Sequence, residues 1–303
     1  MSGVVQVLLA CVLWGTAGIG ASFLPGISAA AVGSATSAAG GLAFFLIYLR
    51  PSWRVLTARP NLGWVIAGSA GMAGYPLLFY AGLDFAPVAT CYVVSLGSAP
   101  IWAALLELVV DRQRQTPLWL VGTGIGLVGV AMLVLGSSRT DTQPTSVGVG
   151  ITLALAAGLA YSLQAYSSRK LMARGASPLA ALGALFGGAS IVLVPVMIAV
   201  GGPLLTSWQG IAVGVYLAAL PICLAYVLFF RGLRTISASL ATTLTLADPA
   251  AAALLSVLVL GQVVTPLGWV GIGVIAAGVV LASRPSVSPG WGPSNRDLRR
   301  RAP

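Results

Sequence analysis

Ten apolar runs, separated by short polar or Pro/Gly-containing breaks, tile this chain from residue 4 to residue 283. A helix needs roughly 20 apolar residues to cross the hydrocarbon core of a bilayer. The runs have about that length: 4–24, 28–50, 62–83, 86–110, 117–136, 147–171, 178–201, 207–232, 236–260 and 265–283. Only 7% of the residues are charged, against roughly a quarter in soluble domains. A chain so poor in charge cannot cover a water-facing surface, so hydrocarbon must cover it. Glycine, at 38 residues, would weaken a soluble core, yet in lipid it lets helix backbones approach closely. The sequence therefore predicts an all-α integral membrane protein of ten transmembrane helices.

The formal net charge of +10 does not point to nucleic acid. No Lys or Arg precedes Arg50, and those that follow lie in short clusters between apolar runs. Counted alternately across the breaks, 15 fall on one side, the tail from Arg284 included, and only Arg139 on the other. The positive-inside rule then places both termini in the cytoplasm, with the 137–146 link on the far side. The first run lacks the positive region of a signal peptide and is expected to be retained as a helix. Residues 284–303, rich in Pro, Ser and Arg, read as a disordered basic tail. There is no histidine, which excludes histidine-ligated zinc, a Ser-His-Asp triad and a histidine relay. Cys11, Cys91 and Cys223 lie inside apolar runs and read as packing residues. No cofactor, metal or catalytic residue is expected.

An internal repeat divides the chain. Thr116-Pro117-Leu118 recurs as Thr265-Pro266-Leu267. At the same offset Pro100 matches Pro249, Gln113 matches Gln262, and Gly122, Gly124 and Gly129 match Gly271, Gly273 and Gly278. Apolar bias can supply Leu and Val matches but not aligned Pro, Gly, Thr and Gln. Five spans per copy is odd, so the second copy must enter the membrane inverted. The expected halves are residues 1–136 and 147–283. Inverted repeats in transporters relate two gates about a midplane site. That symmetry favours a carrier over a channel or a membrane-embedded enzyme, the two readings from other classes.

Further motifs carry a resemblance. They are Leu13-Trp14-Gly15 in the first run, Phe79-Tyr80-Ala81-Gly82-Leu83 closing the third, and Ser98-Ala99-Pro100 and Ala247-Asp248-Pro249 in the fourth and ninth. With the glycine-rich fifth and tenth runs, they resemble the EamA branch of the drug/metabolite transporter superfamily over about residues 4–283. The resemblance implies a basket in which helices 1–4 and 6–9 surround a cavity and helices 5 and 10 lie outside. It also implies export of amino acids and other small metabolites, with the bacterial exporters of aromatic and neutral amino acids as the nearest type and the inner membrane as the location. Where the family often has Gly-Glu before helices 5 and 10, this chain has Arg112-Gln113 and Gly261-Gln262.

Of six acidic residues, Asp84, Asp111, Asp141 and Asp297 fall outside the runs, whereas Glu107 and Asp248 fall within them. Ionisable groups are costly in lipid and mark function by default. Glu107 reads as a carboxylate snorkelling towards Arg112 or Arg114, or as an inner-gate latch or proton site. Asp248, deeper and followed by Pro249, reads as a residue satisfying loosened backbone, or as a partner for a ligand amine or a proton carrier. Helical spacing puts Tyr92, Ser95, Ala99 and Trp102 on one face of the fourth helix, and Ser237, Ala241, Thr245, Asp248 and Ala252 on the matching face of the ninth. Trp14, Tyr75, Tyr161 and Phe186 lie near mid-membrane, where each serves either packing or a cavity wall. Gln164 shares a face with Tyr161 and reads as an interhelical bond or a substrate contact. Trp119 and Trp269 open the fifth and tenth helices and are expected at the interface.

No Lys or Arg sits at the centre of a run, which disfavours phosphate-bearing substrates. The expected substrate is neutral or zwitterionic with an apolar or aromatic body, most simply an amino acid. Efflux of drugs or other metabolites on the same fold is the alternative. The expected partners are the bilayer, this substrate and, if transport is coupled, protons.

Overall fold

The computed structural model describes residues 2–137 and 146–284. Arg139, Asp141 and the remainder of the expected outer link, Asp297, and the tail beyond Arg284 lie outside the described residues. Every described element is helical or a turn. All ten apolar runs are helices: α1 (Gly3–Ser22), α2 (Ala29–Ile47), α4 (Leu62–Leu83), α5 (Val88–Asp111), α6 (Pro117–Ser137), α7 (Val147–Ala173), α8 (Pro178–Val200), α9 with α10 (Trp208–Leu217 and Ala225–Leu233), α11 with α12 (Ala238–Leu244 and Asp248–Leu260) and α13 (Pro266–Ala282). Eight of these are long and apolar enough to cross a membrane unaided. A ninth candidate is α2 with α3 (Leu49–Thr57), bent by 97° at their junction. The tenth run, α13, has 17 residues. The chain is thus a multi-pass membrane protein. Its flanks carry exposed Leu135, Ile191, Ile198 and Leu258, side chains suited to lipid contact.

The helices start where a hydroxyl can cap them. Ser28, Ser177, Ser207, Ser237 and Thr265 each accept a hydrogen bond from the first turn of the helix that follows, satisfying one of the donors every helix N-terminus leaves free. Two helices break at prolines. Pro221 sits in a π-helical turn, Ala218–Leu224, between α9 and α10. Pro249 has no N–H to offer the carbonyl one turn earlier, and the chain tightens into a 3-10 turn, Thr245–Ala247, before resuming as α12. Asp248 thereby becomes the first residue of α12.

Small residues set the closest contacts. α6 and α13 run antiparallel along one side of the bundle. A Cβ at Gly122 would lie 2.8 Å from the Gly278 carbonyl oxygen, and one at Gly278 would lie 2.4 Å from the Gly126 amide. Gly129 and Gly271 meet in the same way, each 2.8 Å from the other's carbonyl. α4 lies against α7, where a Cβ at Gly71 would be 2.4 Å from the Ala160 carbonyl oxygen. α1 lies against α12, where a Cβ at Gly15 would be 2.8 Å from the Ala252 amide. Without a hydrophobic drive between helices in lipid, such backbone approach supplies the van der Waals contact that holds them.

The helix ends after α5 and α12 match. Arg112 and Gly261 both adopt left-handed backbone, at φ 56° and 65°. Behind each, the next amide turns back onto the helix, Gln113 onto the Glu107 carbonyl and Gln262 onto that of Ser256. Left-handed backbone is strained for any residue with a Cβ. The departure at Arg112 from the glycine found at position 261 is therefore a local cost rather than a change of fold. Trp119 is a correction: it is buried, 6% exposed, while Trp269 is 49% exposed as an interfacial anchor would be.

Candidate functional site

A large cavity of about 1230 Å³ lies between the described helices. α1, α2, α4, α5, α8, the π turn and α12 all contribute to its wall. It reaches the surface at Ser22, Val88 and Val263, at the ends of α1, α5 and α12. None of the described connections at that end holds a Lys or Arg. The described cations cluster at the opposite end, which the cavity does not reach, so that end is closed.

Six of the expected site residues come together in the wall: Trp14, Tyr75, Tyr92, Tyr161, Phe186 and Asp248. Their rings form a continuous band. Tyr92 meets Phe79 edge-on at 5.8 Å, Phe79 stacks on Tyr75 at 6.0 Å, and Tyr75 lies 5.3 Å from Tyr161. Beyond Tyr161 the band continues through Trp14 to Tyr226, and from Tyr226 to Phe186 at 5.4 Å. Edge and offset ring contacts of this kind are favourable beyond the area they bury.

Three expected residues are not in the wall, and helix packing explains each. Ser95 is fully buried, because the face of α5 around it seats against α7. A Cβ at Gly158 would lie 2.5 Å from the Ser95 carbonyl oxygen, and the Ser162 hydroxyl donates to the Ala99 carbonyl at 2.6 Å. Trp102, two turns further along α5, lies beyond the cavity, with its indole nitrogen buried. Gln164 is wholly buried where α7 crosses α4 at Gly71. Its amide interacts with the wall residue Tyr226 only outside strict hydrogen-bond geometry.

Tyr226, Phe79 and Tyr80 line the cavity too; the sequence marks Phe79 and Tyr80 only as part of a family motif and does not single out Tyr226. The signal was the repeat itself. Phe79 matches Phe229 at an offset one residue longer than that of Thr116 and Thr265, and about one helical turn before each stands a tyrosine, Tyr75 and Tyr226.

Asp248 is the only charged residue in the wall among the described residues. Its Oδ2 accepts a hydrogen bond from the Tyr92 hydroxyl at 3.2 Å. Its Oδ1 is buried and has no hydrogen-bond partner among the described residues. The broken helix puts this carboxylate at the start of α12, where helix dipoles present partial positive charge.

Glu107 is elsewhere, at the closed basic end, and it does not snorkel. Buried at 4% exposure, it accepts from the amides of Ala238 (2.8 Å) and Ser239 (3.3 Å) at the start of α11. The Ser239 hydroxyl (2.7 Å) and the Gln115 side-chain amide (2.8 Å) complete its shell. A carboxylate from the first half of the chain thus caps a helix of the second. Asp111, expected in a loop, is the last residue of α5. It pairs with Lys170 and accepts from the Tyr166 hydroxyl at 2.8 Å. Nearby, the Arg169 guanidinium donates to the Ile236 carbonyl. Cys11, Cys91 and Cys223 are free thiols.

Comparison with known proteins fits this architecture. The chain is 31% identical over 285 residues to the uncharacterized transporter YwfM of Bacillus subtilis, covering 91% of this chain and 92% of that protein. It is 26% identical over 263 residues to the threonine/homoserine exporter RhtA of Escherichia coli K12, covering 87% and 84% of the two. A solved crystal structure superposes with a TM-score of 0.77 at 20% identity, covering 93% of this chain and 96% of that one, and shares the fold. The EamA-like transporter family matches residues 1–135 and again residues 148–284. Two copies of one motif, a helical membrane bundle and a central aromatic cavity lead to the same conclusion: the chain belongs to the EamA-like transporter family.

Proposed function

We propose that this protein is a secondary transporter that exports small neutral or zwitterionic metabolites, with amino acids as the best fit, by alternating access through the central cavity. The observation that carries the reading is the cavity: aromatic-walled, with one carboxylate, open at one end and latched at the other. Its volume suits a ligand of amino-acid size with room for water, and apolar walls with a few placed polar groups are what small-molecule sites need. The exporter name of the RhtA relative supports the substrate class.

In this reading the ten helices form two inverted five-helix halves, 1–136 and 147–283, with α13 as a tenth, short span. Packing supports the inversion. The repeat offset turns the Gly122–Gly278 contact into Gly271–Gly129, and both contacts are made. The matching left-handed ends at Arg112 and Gly261 support it too. The positive-inside rule puts the basic end in the cytoplasm of a bacterial cell, its inner membrane being the host. The state described is then outward-open, and Glu107, with the Asp111–Lys170 pair, closes the inner gate. If transport is proton-coupled, Asp248 is the better-placed carrier of the two buried carboxylates.

Counterflow in proteoliposomes against a panel of amino acids tests this. Transient uphill accumulation of labelled substrate, driven by unlabelled substrate inside, is expected for at least one neutral amino acid. Flux that neither saturates nor shows trans-stimulation would defeat the carrier reading.

A further inference from the structure

We infer that Asp248 and the aromatic band form a site for the substrate's ammonium group, and that the cavity leaves the carboxylate of an amino acid without a charged partner. This rests on the transporter reading above and moves its preferred substrate from zwitterions to cations. Cationic amines with an apolar body are then better ligands than the corresponding zwitterions.

The argument is one of charge and of hydrogen-bond polarity. Asp248 is the only charged residue in the wall among the described residues. One of its oxygens holds the Tyr92 hydroxyl and the other, Oδ1, has no partner among the described residues. A buried acceptor left open is costly, and a ligand N–H is what would complete it. Trp14, Tyr75 and Tyr92 line the same cavity, and aromatic rings suit a cation as well.

Five of the wall's six serine and threonine hydroxyls point the same way, Ser37 being the exception. Ser22, Thr36, Thr245 and Ser256 each donate their proton to a carbonyl of their own helix, at 2.8, 2.7, 2.8 and 2.8 Å. Thr265 likewise donates, to the Gly136 carbonyl across the α6–α13 contact. A hydroxyl carries one proton and two lone pairs. With the proton committed, what each offers the cavity is an acceptor. Acceptors complement an ammonium and oppose a carboxylate. Lys170 and Arg169 lie beyond the closed end, engaged with Asp111 and the Ile236 carbonyl. A carboxylate entering this cavity loses its water, meets neutral tyrosine donors and feels the Asp248 charge a few ångströms away.

Three probes with one aromatic body separate the terms: phenethylamine, phenylalanine and 3-phenylpropionate. Binding is read by calorimetry on the full chain in nanodiscs, and flux by competition against counterflow in proteoliposomes. Phenethylamine should bind at least about tenfold more tightly than phenylalanine, the scale of one charge-assisted contact set against one repulsion, and 3-phenylpropionate should bind weakest. Asp248→Asn should abolish the amine's advantage. Tyr92→Phe, which removes the neighbour of the carboxylate but not the carboxylate, should keep it. The order of the three ligands on the parent protein decides even if the Asn variant does not fold. Phenylalanine binding as tightly as phenethylamine, or no amine binding at all, overturns the inference. Counterflow with phenylalanine in that first case leaves the transporter reading intact. Tight amine binding without any counterflow supports the ammonium site and sinks the transporter reading instead.

Discussion

Replacing Glu107 tests whether the closed end is held by a buried cap or merely by contact. The carboxylate accepts two backbone amides, those of Ala238 and Ser239, and two side-chain donors. In Glu107→Ala the Ser239 hydroxyl retains the Gln115 side-chain oxygen, 3.1 Å away, and Gln115 can turn. The two amides at the start of α11 cannot, because their direction is fixed by the helix. A buried donor left unsatisfied costs about 1–3 kcal/mol, so stranding both should cost roughly 2–6 kcal/mol. Water entering the space left by the side chain favours the lower part of that range. Glu107→Gln keeps an acceptor for the amides and loses only the charge, which should cost about 1 kcal/mol, the difference between a charge-assisted and a neutral bond. Thermal unfolding in detergent, followed by fluorescence-detected size exclusion, should rank the parent first, Gln next and Ala last, with Ala lower by several degrees. Asp111→Ala is the contrast. Its pair with Lys170 is about one-fifth exposed on each side, and ion pairs near water contribute about 1 kcal/mol or less. If Glu107→Ala melts with the parent, or no lower than Asp111→Ala, the cap does not hold the gate.

Other expectations follow from the same contacts. Gly278→Ala drives a Cβ into the Gly126 backbone and should cost about 1–3 kcal/mol by overpacking. Gly124→Ala, on the same pair of helices but with open space around it, should leave melting unchanged or raise it. Arg112→Gly relieves left-handed strain at φ 56° and should stabilise by about 1 kcal/mol, read as a higher melting temperature. Single cysteines at positions 57 and 173 should be labelled only from the cytoplasm and one at position 143 only from outside. The opposite pattern would invert the orientation.

Much of the fold was legible because lipid imposes one rule on every segment. Backbone groups must be bonded within the helix, so apolar length alone located all ten helices to within a few residues. The 97° bend after Ile47 was less visible: the run to Arg50 reads as one helix, but Arg50 and Arg54 leave the apolar phase. The cavity was legible only in part. Aromatics at mid-membrane fell into the wall because large rings fill the space between splayed helices. Ser95, Trp102 and Gln164 did not, because a helix face in lipid has three possible neighbours: cavity, lipid or another helix. Periodicity marks a polar face without saying which of them it meets. What decided the matter was a partner far away in sequence, Gly158 for Ser95 and Gly71 for Gln164. For Glu107 the missing signal was likewise remote, the start of α11 more than a hundred residues later.

The central claim, that the cavity is served alternately from two ends, is tested most directly by pinning the closed end shut. Cysteines at positions 115 and 239, whose native side chains touch at 3.1 Å, would be bridged by a short reducible cross-linker after the three native cysteines are replaced. The account predicts that the bridged protein still binds ligand from its open end but carries no counterflow, and that reduction restores flux. Counterflow at the parent rate with the bridge intact would contradict it.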